Sequence, residues 1–133
     1  MMSTASKEKN SNRWCAYSAN GGLTFGPRSI TDQIDCGGHL GLTSLFLDGR
    51  PVILATHMLK PGDDKLTLSL ARNAGRTWHP ARIVKRVPCA YSDLIQHPNG
   101  NLLCAFETGK NHTDLGVARF NLDWVLEAEP DAE

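Results

Sequence analysis

Helical periodicity is missing from this 133-residue chain. No segment of about ten residues or more repeats apolar side chains at helix spacing, and only Leu122 to Glu129 has room for a turn or two of helix. No run approaches the ~20 apolar residues of a membrane span, and the polar start Met1 to Asn12 lacks the apolar stretch of a secretory signal. The expectation is a soluble chain with no membrane partner, its compartment unknown and cytoplasmic by default. Excess charge of either sign is also missing, with 14 Lys and Arg against 14 Asp and Glu, so no basic footprint for nucleic acid is present. Cys15, Cys36, Cys89 and Cys104 are far apart with no C-x-x-C pair, which argues against zinc-finger and thioredoxin-like sites. They read as buried apolar thiols, with one disulfide among them as the alternative. His39, His57, His79, His97 and His112 fall on separate segments, so neither a metal site nor a cofactor is expected.

What is present reads as strand. After a polar stretch at 1–13, expected to be a disordered leader, short runs of Leu, Val, Ile, Thr and aromatics alternate with Gly, Pro, Asn and Asp, the pattern of an antiparallel all-β domain. Leu42 to Leu47 and Pro51 to Thr56 flank Asp48-Gly49, a pair suited to a tight hairpin turn. Tyr91 to His97 and Asn101 to Glu107 flank Pro98-Asn99-Gly100, where proline presets φ and Asn-Gly accepts left-handed geometry. Lys65 to Ala71 and Leu115 to Phe120 follow as third strands, with Arg82 to Lys85 as a fourth, and 127–133 forms a polar tail.

One turn motif occurs twice, as Ser18-Ala19-Asn20-Gly21-Gly22-Leu23-Thr24-Phe25 and as Ala71-Arg72-Asn73-Ala74-Gly75-Arg76-Thr77-Trp78. In such a turn a short polar side chain bonds the backbone of the bend, and glycine takes the φ values other residues avoid. Downstream stand Cys89-Ala90-Tyr91-Ser92-Asp93-Leu94, Ala105-Phe106-Glu107-Thr108-Gly109 and Arg119-Phe120-Asn121-Leu122-Asp123-Trp124. The repeated turn resembles the Asp-box of the sialidase (neuraminidase) superfamily, and the later segments resemble that family's tyrosine-nucleophile strand and closing strands. Both boxes carry Asn in place of the usual Asp, and the second has Ala71 in place of Ser. Their starts are 53 residues apart, a little beyond the ~40–50 residues of one propeller blade.

The resemblance implies a partial β-propeller, about two to three four-stranded antiparallel blades from the C-terminal third of a six-bladed domain spanning residues 14–126. It implies an exo-α-sialidase activity, a glycoside hydrolysis in which a tyrosine replaces one carboxylate of the usual pair. Tyr91 matches the nucleophile position, and Glu107 matches the carboxylate that orients the first arginine of a substrate clamp. Ser18, Asn20, Gly22, Thr24, Phe25, Asn73, Gly75, Thr77 and Trp78 match box positions, which are structural. The family's glutamate base has no counterpart, since the only glutamate before Tyr91 is Glu8. Aligning on Leu66-Thr67 places Asp63 where the third clamp arginine belongs, with Lys60 and Lys65 the nearest cations. Cys36-Gly37-Gly38-His39-Leu40 resembles a family segment that opens a blade, with His39 replacing Ser. Substrate-binding residues are otherwise unassigned.

Each resemblance has a plain structural counterpart. Tyr91 also fits a half-buried strand residue whose hydroxyl finds a local partner. The chain therefore reads as a sialidase-family C-terminal fragment, inactive alone, with a sialylated or related glycan as partner if active. It also reads as a non-catalytic Asp-box carbohydrate-binding or scaffold module, or as a hydrolase for another sugar. An arc of blades leaves open edges, through which self-association is expected. Asn111-His112-Thr113 matches the glycosylation acceptor pattern but is expected to stay unmodified without a secretory signal.

Overall fold

The computed structural model of this chain describes residues 2–4, 12–34, 39–59, 65–86 and 88–127. Three antiparallel sheets follow one another along the sequence. The first contains β1 (Met2–Thr4), β2 (Asn12–Ala16) and β3 (Ser29–Ile34). The second runs β4 (Gly41–Leu47), β5 (Arg50–His57), β6 (Leu66–Ala71) and β7 (His79–Lys85) in simple meander order. The third holds β8 (Cys89–Gln96), β9 (Leu102–Thr108) and β10 (Asp114–Phe120), and α1 (Leu122–Leu126) follows it. The expected all-β partial propeller is what the chain forms, with one correction of detail: the second sheet has four strands, while the first and third have three each among the described residues.

The two hairpins form where their turn residues direct. Asp48 and Gly49 take φ of 50° and 72°, and Gly100 takes 89°, so Leu47 pairs with Arg50 and Gln96 with Leu102. Proline in the run His79–Lys85 hid the start of β7 from the sequence, because Pro80 donates no ladder hydrogen bond. The strand accommodates it at an outer position with two register shifts against β6. Within the stretch expected to be a leader, Met2–Thr4 pairs with β2, and Asn12 and Arg13 begin β2. Residues 5–11, and the tail from 128 to 133, lie outside the described residues. A 3-10 turn at Lys110–His112, where Asn111 and His112 have positive φ, joins β9 to β10.

Both box turns sit alike in their sheets, between β2 and β3 and between β6 and β7. In the first, Asn20 Oδ1 accepts from the Thr24 amide at 2.9 Å and its Nδ2 donates to Thr24 Oγ1 at 2.8 Å. In the second, Asn73 makes the same two bonds with Thr77, at 3.0 and 2.8 Å. Ser18 Oγ adds an acceptor for the Gly22 amide at 2.8 Å; Ala71 cannot supply this bond. The closing aromatics differ. Trp78 is buried and donates its indole N–H to the Gly75 carbonyl at 2.9 Å, whereas Phe25 stays 43% exposed. Tyr17, just before the first box, donates its hydroxyl to the Ala74 carbonyl of the second, so the two turns tie the first sheet to the second.

The main core lies between the second and third sheets. Leu45, Val52, Leu54, Leu66, Leu68 and Leu70 of one meet Leu94, Leu102, Cys104 and Phe106 of the other, with Val125 of α1 closing one end. Cys15, Cys89 and Cys104 are buried, and Cys36 lies outside the described residues. Burial pushes the Cys104 thiol up to about 11, so it packs as a small apolar group.

The first and second sheets meet through more polar ground. Arg13, Thr31, Gln33, His57, Thr67 and Ser69 are all buried. His57 is held at both ring nitrogens, Nδ1 against the Met58 carbonyl at 2.9 Å and Nε2 against Ser69 Oγ at 2.8 Å. A carbonyl only accepts, so Nδ1 carries the proton and the Ser69 hydroxyl donates to Nε2. Burial, with Arg13 adding repulsion, lowers the His57 pKa from 6.5 to about 4.

Because the folded protein resists protonating His57, its stability is complete above pH 6.5 and falls as pH drops from 6.5 through about 4. The loss approaches about 3 kcal/mol at the acid end. Urea melts of the parent and His57→Asn between pH 7 and pH 4 check this. The stability gap between the two is expected to shrink or reverse toward pH 4, and a gap constant with pH refutes the assignment.

Candidate active site

The position of the third sheet on the second is fixed by one serine. Ser92 Oγ donates to the Thr56 carbonyl at 3.1 Å, accepts from Thr56 Oγ1 at 2.9 Å and accepts from the Gly41 amide at 3.3 Å. This brings the backbone of β8 so close to β4 that a Cβ on Gly41 would stand 2.6 Å from the Leu94 nitrogen and 2.7 Å from the Asp93 carbonyl carbon. Only glycine fits.

Side chains alternate along a strand. With Ser92 and Leu94 turned into the core, Tyr91 and Asp93 must project from the opposite face, where both are exposed. Cys89 is nevertheless buried on the same side as Ser92, three positions away. A register shift makes this possible: Cys89 pairs with Thr108 and Ser92 with Phe106, so that Ala90 and Tyr91 together stand against Glu107. This bulge re-aims the strand, as bulges near functional positions do. It puts Tyr91 across the ladder from Glu107, and both border one cleft.

The result is a cleft of about 420 Å³ bordered by His39, Tyr91, Asp93 and Glu107, with Leu40, Phe106 and Leu115 giving apolar walls. The His39 ring lies on the Tyr91 ring, centroids 4.5 Å apart and planes 22° from parallel. Asp93 Oδ1 accepts the amide of Leu94 at 2.9 Å, which leaves its other oxygen for the cleft. Tyr91 is 48% exposed, open to a ligand from the solvent side.

Tyr91 and Glu107, named from sequence, are thus brought to one cleft. The box residues Ser18, Asn20, Gly22, Thr24, Phe25, Asn73, Gly75, Thr77 and Trp78 stand apart from it, in turns at the first and second sheets. Sequence reasoning missed Asp93, although strand alternation from Tyr91 was the signal for it. The His39 contact had no local signal, because the residue reaches Tyr91 across two sheets. Asp32 accepts the Trp78 amide at 2.9 Å and Asp48 sits in a hairpin turn. Glu8, Asp35, Cys36, Lys60 and Asp63 lie outside the described residues. Among the described residues no lysine or arginine borders the cleft, and no cluster of His, Cys, Asp or Glu is set to hold a metal ion. No described helix is long and apolar enough to cross a membrane.

No family model matches the chain, and no curated protein matches it in sequence. Solved structures do match in fold. The intramolecular trans-sialidase from Ruminococcus gnavus, solved with oseltamivir carboxylate, aligns with TM-score 0.63 at 20% identity over 91% of this chain and 30% of its own. A leech intramolecular trans-sialidase, solved with 2,7-anhydro-Neu5Ac, gives 0.64 at 17% identity over 89% and 21%. The NanB sialidase from Streptococcus pneumoniae gives 0.61 at 14% identity over 86% and 20%. The fold is therefore sialidase-like, and the chain spans less than a third of the length of each of these proteins.

Replacing Ser92 by Ala strands the Gly41 amide and removes two further bonds, and is expected to cost about 1–3 kcal/mol. Gly41→Ala should cost at least as much by forcing the two backbones apart. Chemical denaturation of both variants measures the cost. Amide shifts of Tyr91 and Asp93 that stay at parent values in Ser92→Ala would show that Ser92 does not aim them.

Proposed function

We propose that the chain is the C-terminal part of a sialidase-type glycoside hydrolase domain, with Tyr91 at the nucleophile position. The observation that carries this reading is the convergence of Tyr91 and Glu107 on one open cleft in a sialidase-like fold. In the reaction this implies, the Tyr91 oxygen attacks the anomeric carbon as the glycosidic bond breaks. The departing alcohol takes a proton from a general acid, and water then releases the sugar from the tyrosyl intermediate.

A free phenol has a pKa near 10 and is a weak nucleophile at neutral pH, so a base must take its proton. Glu107 and Asp93 are the carboxylates at hand. An acidic sugar also needs cationic clamps, best made by guanidinium groups that bind a carboxylate through two parallel bonds. The described lining supplies none. Hydrolysis is therefore assigned to the cleft only when further residues complete it, and the chain alone is expected to be inactive.

A second reading has its own observation in favour. The stacked rings of His39 and Tyr91 form an aromatic platform on which the apolar face of a sugar can lie without any chemistry. In that reading the protein is a non-catalytic carbohydrate-binding module.

Two measurements on the purified chain separate these. With a fluorogenic sialoside no turnover is expected, and turnover abolished by Tyr91→Phe would refute the predicted inactivity. Titration with sialyllactose and with neutral oligosaccharides, followed by amide shifts, should perturb Tyr91, Asp93 and Glu107. Tyr91→Ala should weaken binding roughly tenfold, the scale of one aromatic contact. If no glycan moves those signals, both readings fail. Binding of neutral sugars that survives Tyr91→Phe unchanged favours the module.

A further inference from the structure

β10 (Asp114–Phe120) forms the outer strand of the third sheet, paired with β9 on one side and with no described strand on the other. Outer strands normally carry a device that stops them from recruiting another chain: a proline, a bulge, an inward charge or very short length. The other outer strands have such a device or are covered. β1 has only three residues, β3 breaks register against β2, and β7 contains Pro80 and two register shifts. β4 has an unbroken register but lies against β8, where Gly41 and Ser92 join the sheets.

β10 has none of these devices. Its pairing with β9 is unbroken over seven residues, from Asp114 opposite Thr108 to Phe120 opposite Leu102. It lacks proline, and its only charges are Asp114 and Arg119. On its open face Leu115 and Val117 are 84% and 71% exposed, while Gly116 on the other face lies under the Phe106 ring.

We propose that β10 pairs antiparallel with β10 of a second copy of this chain, about a two-fold axis through Val117, continuing one sheet across both molecules. The sequence of the strand selects this register. Centring on Val117 is the antiparallel arrangement that pairs all seven residues, because the chain leaves the strand at the 3-10 turn before Asp114 and at α1 after Phe120. It sets Val117 against Val117, Gly116 against Ala118, and Leu115 against Arg119 of the second copy.

The side chains then complement one another. Leu115 and Val117 of both copies form one apolar stripe. Leu115 also pairs with Glu107 within the sheet, so Arg119 of the second copy enters the row that holds Glu107 and reaches toward it over Leu115. The two-fold axis makes the same contact again on the far side. Centring instead on Arg119 would set like charges face to face. Such an isologous contact closes on itself as a dimer and does not propagate into fibres.

Sedimentation equilibrium of the full chain over a micromolar concentration range tests the proposal. A reversible dimer is expected. Val117→Lys, at an exposed position that leaves the core intact, should raise the dissociation constant roughly tenfold or more by setting two ammonium groups opposite each other. In a Cys36→Ser background, Val117→Cys should oxidise to a covalent dimer, because the axis brings the two side chains within disulfide reach, whereas Leu115→Cys should not. A chain that stays monomeric overturns the proposal. So does a dimer indifferent to Val117→Lys, or cross-linking of Leu115→Cys as readily as Val117→Cys.

Discussion

Ser92 and the missing side chain of Gly41 are the constraint on which the cleft depends. Three hydrogen bonds converge on one hydroxyl between β4, β5 and β8, and a backbone contact that tolerates no Cβ lets them form. Once Ser92 is fixed, the two-residue period of the strand leaves Tyr91 and Asp93 one direction to point. The bulge opposite Glu107 supplies the extra residue that lets Cys89 stay buried on the Ser92 side. Core packing and site geometry are thus one arrangement, and a change at the sheet junction is a change in where the phenol sits.

The unequal packing between sheets follows from which side chains each face carries. β6 is buried at every position because it has a sheet on each side. Toward the third sheet it offers Leu66, Leu68 and Leu70 to an apolar core. Toward the first it presents Thr67 and Ser69, which meet the polar group around His57 and Arg13. Among the described residues Gln33 Nε2 and Thr67 Oγ1 find no partner in that interface, a cost that an apolar core does not carry. The first sheet is accordingly held more by specific bonds, from Tyr17 to Ala74 and from Trp78 to Asp32, than by buried area. The second and third sheets form the firmer unit.

Features encoded by a few adjacent residues were legible in the sequence, and those made by distant partners were not. Asp48-Gly49 and Pro98-Asn99-Gly100 announced their hairpins because positive φ is a local demand. The two Asn-Thr turns were legible for the same reason, since both partners lie within five residues. β1 was not: three polar-to-apolar residues make a strand only when β2 is there to pair with them. Nor was the full length of β7, because the penalty for Pro80 disappears at an outer position. At the cleft, Tyr91 and Glu107 came from a family resemblance and Asp93 was within reach of simple alternation. The His39 stack depends on how two sheets meet, which no spacing encodes.

The geometry of that stack also limits which group can activate Tyr91 in the proposed reaction. An imidazole accepts a proton along a lone pair in its own ring plane. With the His39 and Tyr91 planes only 22° from parallel, those lone pairs run alongside the phenol ring and not toward its hydroxyl. His39 therefore orients the ring, as a flat support that fixes where the oxygen points. Deprotonation falls to a carboxylate, and the two in the cleft are not equivalent. Asp93 already gives one oxygen to the Leu94 amide, and it stands two residues along the same strand as Tyr91. Glu107 faces the bulge that carries Tyr91 from across the ladder, and both border the cleft. In the proposed reaction Glu107 is therefore the carboxylate to test as the base.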